Sequence, residues 1–300
     1  MAEGNDRVQA RVDNISTVKP ILEALRTISL GSWQSALKKQ QSVSAFAQNY
    51  LEILEMVAPS AQKLISKKKI KRTKPTEAEI QPIILMLIGS ERGLCGSYNQ
   101  QLLINFRKQI GQFGEKPVAV WIMGTRLYRL VKRAGYKVDW WKPLSSTSLP
   151  VYSEMHRISR QWLKAYEARQ LDEVYLFSHH YLTAGKSEVR LERLLPYSLD
   201  FSQNKSVDVY EGWPTPVLET DPLKLYLKVV EQMGTMRFYS LMLDAAAAEH
   251  STRYQLMEEA SQNAGRMIDE MTEILQMYRR EAITREMQEL ASGAGLLGGM

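Results

Sequence analysis

Residues 221–291 read DPLKLYLKVVEQMGTMRFYSLMLDAAAAEHSTRYQLMEEASQNAGRMIDEMTEILQMYRREAITREMQELA. Asp221-Pro222 has the form of an N-cap followed by proline at the first helical position. No proline occurs after it in this stretch, and only Gly234 and Gly265 interrupt it. Roughly 70 residues of helix would extend about 105 Å at 1.5 Å per residue, far longer than an ordinary globular helix. Met267, Met271, Ile274 and Tyr278 step by four, three and four, which predicts a coiled-coil seam. Such a helix requires a partner for its apolar stripe.

The partner is found at the other end of the chain. Over residues 5–57, Val8, Val12, Ile15, Val18, Leu22 and Leu25 recur at three- and four-residue steps. Val43, Ala47, Tyr50, Leu54 and Val57 repeat the rhythm. Asp6 is the expected N-cap. Pro20 lacks a backbone donor and is expected to bend or locally break this helix, and Gly31 is also awkward within it. The predicted architecture is an antiparallel coiled coil of the two ends, with a helical bundle as the alternative reading of the same periodicity.

The middle of the chain has a different texture. Ile83–Ile88 and Val118–Met123 are short continuous apolar runs that end at Gly89 and Gly124, and residues 174–177 form a third. Amphipathic helical stretches lie between them at 98–113, 125–134 and 152–169. Apolar strands alternating with helices predict a Rossmann-like α/β domain with a mainly parallel sheet covered on both faces. The expected organisation is a coiled-coil helix over 1–66, a basic linker over 67–75, the α/β domain over 76–200, a linker over 201–220 and the second coiled-coil helix over 221–300.

Composition leaves several functions open and narrows others. The 300 residues are 44% apolar and 24% charged, with a net charge of +6. That balance suits nucleic acid, a membrane surface or acidic protein partners, and does not choose among them. The single cysteine, Cys95, excludes an internal disulfide and a cysteine-based zinc cage. His179 and His180 are adjacent, and neighbours on a strand point to opposite faces, so they form a poor chelate. No basic segment followed by an apolar one opens the chain, so no signal peptide is expected. No apolar run approaches the roughly 20 residues of a membrane span.

Catalytic and ligand motifs fail on spacing. GSERGLCGS (89–97) follows a strand and precedes a helix, where an anion could sit. No lysine follows its glycines, and the Gly-x-Gly-x-x-Gly pattern is absent, so these glycines are expected to serve a tight turn and close packing. AGKS (184–187) has His180 where a phosphate loop needs its first glycine. Nothing local would activate Cys95, which is read as a small packed residue. The pairs Glu258-Glu259 and Asp269-Glu270 point about 100° apart on a helix and suit a surface. Trp140-Trp141 lies far in sequence from the basic run KKKIKRTK (67–74), which weakens a nucleic-acid reading.

Several segments resemble one family. ERGLCGSYN (91–99) is similar to the signature turn of ATP synthase gamma subunits, the central stalk of F-type ATPases. AAAEHSTRYQLMEEASQNAG (246–265) and REAITREMQELASGA (280–294) resemble that family's long helix and closing segment, and RLLPYS (193–198) its strand after the third apolar run. The N-terminal helix departs from the pattern: Leu25 stands in the place of a methionine and Glu23 in that of a lysine, and in the closing segment Arg280 replaces a glutamine.

The resemblance implies a central rotor stalk with no active site and no cofactor. It would turn inside a ring of three alpha and three beta subunits and contact an epsilon subunit and a membrane c-ring. It would belong to a peripheral complex on the cytoplasmic face of a bacterial or archaeal plasma membrane, with no nucleic acid bound. Arg279, Arg280, Thr284, Glu286 and Leu25 are the expected coupling contacts to alpha and beta. Arg92, Gly93, Cys95, Gly96 and Asn99 are expected to shape the signature turn, and residues 295–300 to meet an apolar sleeve. The alternative is a nucleotide-binding α/β enzyme with a helical dimerisation arm.

Overall fold

The structure is a computed structural model that describes residues 2–67, 81–114, 116–145, 148–196 and 218–293. Most of the two segments read as linkers, and residues 295–300, lie outside the described residues. The chain contains α1 (Ala2–Lys67), β1 (Ile83–Ile88), α2 (Tyr98–Gln109), a 3-10 turn (Ile110–Phe113), β2 (Val118–Met123), α3 (Thr125–Arg133), β3 (Trp140–Lys142), α4 (Tyr152–Glu167), β4 (Glu173–Thr183), β5 (Lys186–Leu195) and α5 (Pro222–Gly293). It divides into two compact units, Gly31–Thr252 and Met1–Leu30 with Arg253–Met300.

In the larger unit the strands form one sheet in the order β3-β2-β1-β4-β5. The first four run parallel, and β5 returns antiparallel to β4. The parallel part explains the unbroken apolar run of β1, because both of its faces are covered. Ile84, Met86 and Ile88 pack on one side with Met155, Ile158 and Trp162 of α4 and Phe238, Leu241 and Met242 of α5. Ile83, Leu85 and Leu87 pack on the other with Leu102 and Phe106 of α2 and Leu127 and Val131 of α3. Each such buried side chain contributes about 1.5–3 kcal/mol.

The sheet is larger than the sequence reading. The third apolar run extends through both histidines to Thr183. Trp140-Trp141 opens an edge strand, held where Trp140 stacks on Trp121 with ring centroids 4.8 Å apart.

In the smaller unit the two helix ends run antiparallel. Arg26 meets Glu258 at 2.6 Å, Glu23 accepts a hydrogen bond from Ser261, and Gly265 faces the Lys19 ammonium. Gly4 lies opposite Tyr278. Each advance along α1 is therefore matched by a retreat along α5.

Four sequence expectations are corrected here. Asp6 is not a cap, since α1 already begins at Ala2. The helix passes through Pro20 without a break. Pro20 is on the exposed face, so the carbonyl it leaves unpaired is open to water. Val18 is 48% exposed and off the seam, where Lys19 takes its place opposite Gly265. On α5 the seam runs through Ser261, Ala264, Ile268, Met271, Leu275 and Tyr278, while Met267 and Ile274 are each 40% exposed.

Candidate functional site

Two regions contain the residues singled out by sequence. The first is the turn that follows β1. Gly89 permits it: a Cβ there would lie 2.2 Å from the Cβ of Leu127, so strand and α3 can approach this closely only at glycine. Gly96 has φ 55°, in the left-handed region, and Leu94 has φ 62°. The turn is tied together around Ser90, which is fully buried. Asn99 accepts the Ser90 N–H at 3.0 Å and donates to its Oγ at 2.7 Å. The Ser90 hydroxyl donates to the Arg92 carbonyl at 2.8 Å, and the Cys95 thiol lies 3.4 Å from the Ser90 oxygen. Gly93, Cys95 and Gly96 thus lie in one loop closed by Asn99 from the first turn of α2, and the Arg92 side chain is exposed.

Glu91 does a second job in the same turn. Helix α3 has Gly124 as its N-cap residue and no side-chain cap of its own. The Glu91 carboxylate supplies one, accepting the Thr125 N–H at 3.0 Å and the Thr125 hydroxyl at 2.7 Å. It also accepts the Leu144 N–H at 2.9 Å, which fixes the chain after β3. Burial pushes this carboxyl up, but the hydrogen bonds from Thr125 and Leu144, with Arg129 nearby, outweigh burial and hold it below the ordinary carboxylate range. Ser90 and Glu91 were missed as key residues by sequence reading. Only Glu91's position in the quoted motif could have flagged it.

Beside this turn Tyr98 and His179 line a surface cavity of about 410 Å³ with Ser97, Lys186 and Ser187. Tyr98 is stacked on His179, with centroids 3.9 Å apart, and its hydroxyl donates to the Ala245 carbonyl of α5 at 3.1 Å. His179 is buried, and its Nε2 is 2.9 Å from the Tyr98 carbonyl, so Nε2 carries the proton. Its Nδ1 then accepts the Ser187 hydroxyl at 2.9 Å. Burial pushes the ring down to about 4, against the opposing hydrogen bond to Tyr98, so it is neutral at pH 7. His180 turns the other way, to Asp244 of α5. Among the described residues no group of three or more His, Cys, Asp or Glu side chains is placed to hold a metal.

The second region is the C-terminal part of α5. Arg279 and Glu286 line a shallow surface cavity of about 360 Å³ with Asn5, Tyr278 and Arg285. Arg280 and Thr284 are exposed one turn apart, linked by a hydrogen bond from the Thr284 hydroxyl to the Arg280 carbonyl at 2.8 Å. Leu25 is not with them. It lies half-buried where α1 meets residues 258–261, about 20 residues or roughly 30 Å along the helix. Beyond Tyr278 the seam positions become Ala282, Arg285 and Glu289, and a separate stripe of Ile283, Met287 and Leu290 is 57–67% exposed.

Comparison with known proteins places this architecture. A family model described as ATP synthase matches residues 5–297. The ATP synthase gamma chain of Rubrobacter xylanophilus is 25% identical over 297 residues, covering 97% of this chain and 97% of the relative. The gamma chain of Geobacter sp. strain M21 is 26% identical over 302 residues, covering 97% and 98%. Among solved structures, a chain from the central stalk and c-ring of Tetrahymena thermophila mitochondrial ATP synthase superposes with a TM-score of 0.55 at 17% identity, covering 80% of this chain and 99% of that one. That likeness is one of fold. The chain belongs to this ATP synthase family, as a gamma-type subunit. Among its described residues no helix is long and apolar enough to cross a membrane.

Proposed function

We propose that this gamma chain is the central rotor stalk of a rotary F-type ATP synthase, coupling ion flow through a membrane c-ring to conformational change in a ring of three alpha and three beta subunits. Catalysis belongs to beta, and this chain contributes none. The observation that carries the reading is the end of α5, which among the described residues exposes an apolar stripe at Ile283, Met287 and Leu290 flanked by Arg279, Arg280 and Arg285. Exposed apolar surface of this kind marks a contact with another protein. The inward use of the polar groups of the turn supports a mechanical role over a ligand site there.

A shaft acts on its ring by population shift. It presents different faces to identical catalytic subunits and biases each only through differential contacts. Moving one subunit from 1:99 to 99:1 takes about 5.5 kcal/mol of such bias. Arg279, Arg280, Thr284 and Glu286 supply polar contacts for it, with Leu25 further along the pair. The sheet domain meets epsilon and the c-ring, and the complex sits on the cytoplasmic face of a bacterial or archaeal plasma membrane.

Co-purification from the native source tests the reading directly. Alpha and beta are expected near three copies each per copy of this chain, and a complex lacking them would defeat it. Arg279→Ala with Arg280→Ala is expected to lower coupled ATPase turnover while the complex still assembles. Unchanged turnover would remove these arginines from the coupling role.

A further inference from the structure

The stretch Leu241–Ala248 reads LMLDAAAA, and Asp244 is its only polar residue. Apolar contact resists separation of helix and sheet but is non-directional. A helix that is leucine, methionine or alanine on every side of this segment can roll or slide on the sheet and find similar contacts. Leu241, Met242, Leu243 and Ala245 all pack into the same core as β1 and β4, so hydrophobicity alone does not define which way α5 faces.

Asp244 defines it. The residue is 4% exposed. One carboxylate oxygen accepts from His180 Nδ1 at 2.5 Å and the other from the Tyr181 N–H at 3.2 Å, both on β4. A rotation of about 100°, one residue's worth, would carry the carboxylate off both donors and leave a buried charge unpaired. Other directional contacts tie α5 to the domain, one within this segment and two N-terminal to it. Tyr98 of α2 donates to the Ala245 carbonyl, Tyr152 of α4 donates to Gln232 at 2.9 Å, and Arg237 pairs with Glu192 of β5. Asp244 alone among these is a buried charge.

We infer that Asp244 is the register lock of α5 on the sheet domain, the positioning residue through which torque passes between the sheet and the helix. This deepens the rotor reading and rests on it. A buried polar residue that sets register is the best-attested use of such a group in helical assemblies. Without it, α5 retains its apolar packing but yields rotationally under load.

The test uses the assembled, membrane-bound complex. In inverted vesicles, ATP hydrolysis and the membrane potential it generates are measured together, with a voltage-sensitive dye. Asp244→Leu fills the site with an apolar group of similar size. It is expected to keep assembly and hydrolysis and to lower charge moved per ATP by about twofold or more. Asp244→Asn retains a group that can accept the Tyr181 N–H and pair with His180, and is expected to restore most of the ratio. A purely structural role would change the amount of complex and leave the ratio alone. Should Asp244→Leu fail to assemble, His180→Leu carries the test, because His180 is partly exposed and its replacement removes the same pair. A wild-type ratio in Asp244→Leu, or in His180→Leu when only that assembles, overturns the lock. Vesicles from cells lacking this chain that still generate a potential from ATP hydrolysis would overturn the rotor reading itself.

Discussion

The turn after β1 and the last turns of α5 both resemble the same family, yet one bonds within the protein and the other is exposed. In the turn, the Ser90 hydroxyl, the Asn99 amide and the Glu91 carboxylate all bond within the protein. At the end of α5 every side chain from Arg279 to Leu290 is exposed. The more distinctive motif is therefore a brace, and the plainer one is the surface we propose for contact with the ring. A motif rich in glycine and unusual in sequence reflects how demanding its local geometry is. A surface that meets another protein demands only that an apolar stripe and some charges be presented, which an ordinary helix does.

The contrast breaks most readily at Gly89. Gly89→Ala places a Cβ inside the space of Leu127, whose Cβ is fixed to the α3 backbone, so the helix itself must move. A loss of about 3 kcal/mol or more is expected, at the upper end of overpacking costs, read by denaturant unfolding of the purified chain. A loss near zero would mean that strand and helix separate freely there, and the turn would no longer qualify as a brace.

Next in size is His179. Its folded pKa of about 4 lies below the free value near 6.5. Between those values the unfolded chain binds more protons, so stability is fully present above about pH 6.5 and falls as pH drops toward 4. The loss approaches about 3 kcal/mol at most, at 1.36 kcal/mol per unit. His179→Gln should flatten that part of the pH–stability curve. If the wild-type and variant curves run parallel from pH 7 to pH 4, the ring is not held neutral in the folded protein.

Much of this was legible in the chain. The apolar runs of β1 and β2, the helices between them and the two long terminal helices follow from periodicity and proline placement. The exact seam did not. Met267 and Ile268 are adjacent and both apolar, as are Ile274 and Leu275, and steps of three and four fit either set. Only the packing partner selects between them, and it chose Ile268 and Leu275. Lys19 displaced Val18 for a similar reason, since Gly265 leaves room for a long side chain opposite it. Edge strand β3 is three residues long, too short to show a period. Ser90 gave no signal, because a serine after a strand is common and its role depends on Asn99 returning from α2.

The smallest effect on stability is expected where the effect on function is large. Met287→Asp and Ile283→Asp replace residues that are 67% and 57% exposed. Neither touches the helix pair, whose last seam residue before the cavity is Tyr278, so unfolding should shift by no more than about 0.5 kcal/mol. A charge placed on the stripe must, however, be desolvated wherever the stripe is covered, and coupled ATPase turnover of the assembled complex should fall. The two measurements together sharpen the comparison. A stability loss well above 1 kcal/mol would show that the stripe packs within this chain, making the end of α5 a second brace. Unchanged stability with unchanged turnover would leave the stripe facing water throughout the cycle, and the contact surface would then have to be sought among Arg279, Arg280, Thr284 and Glu286.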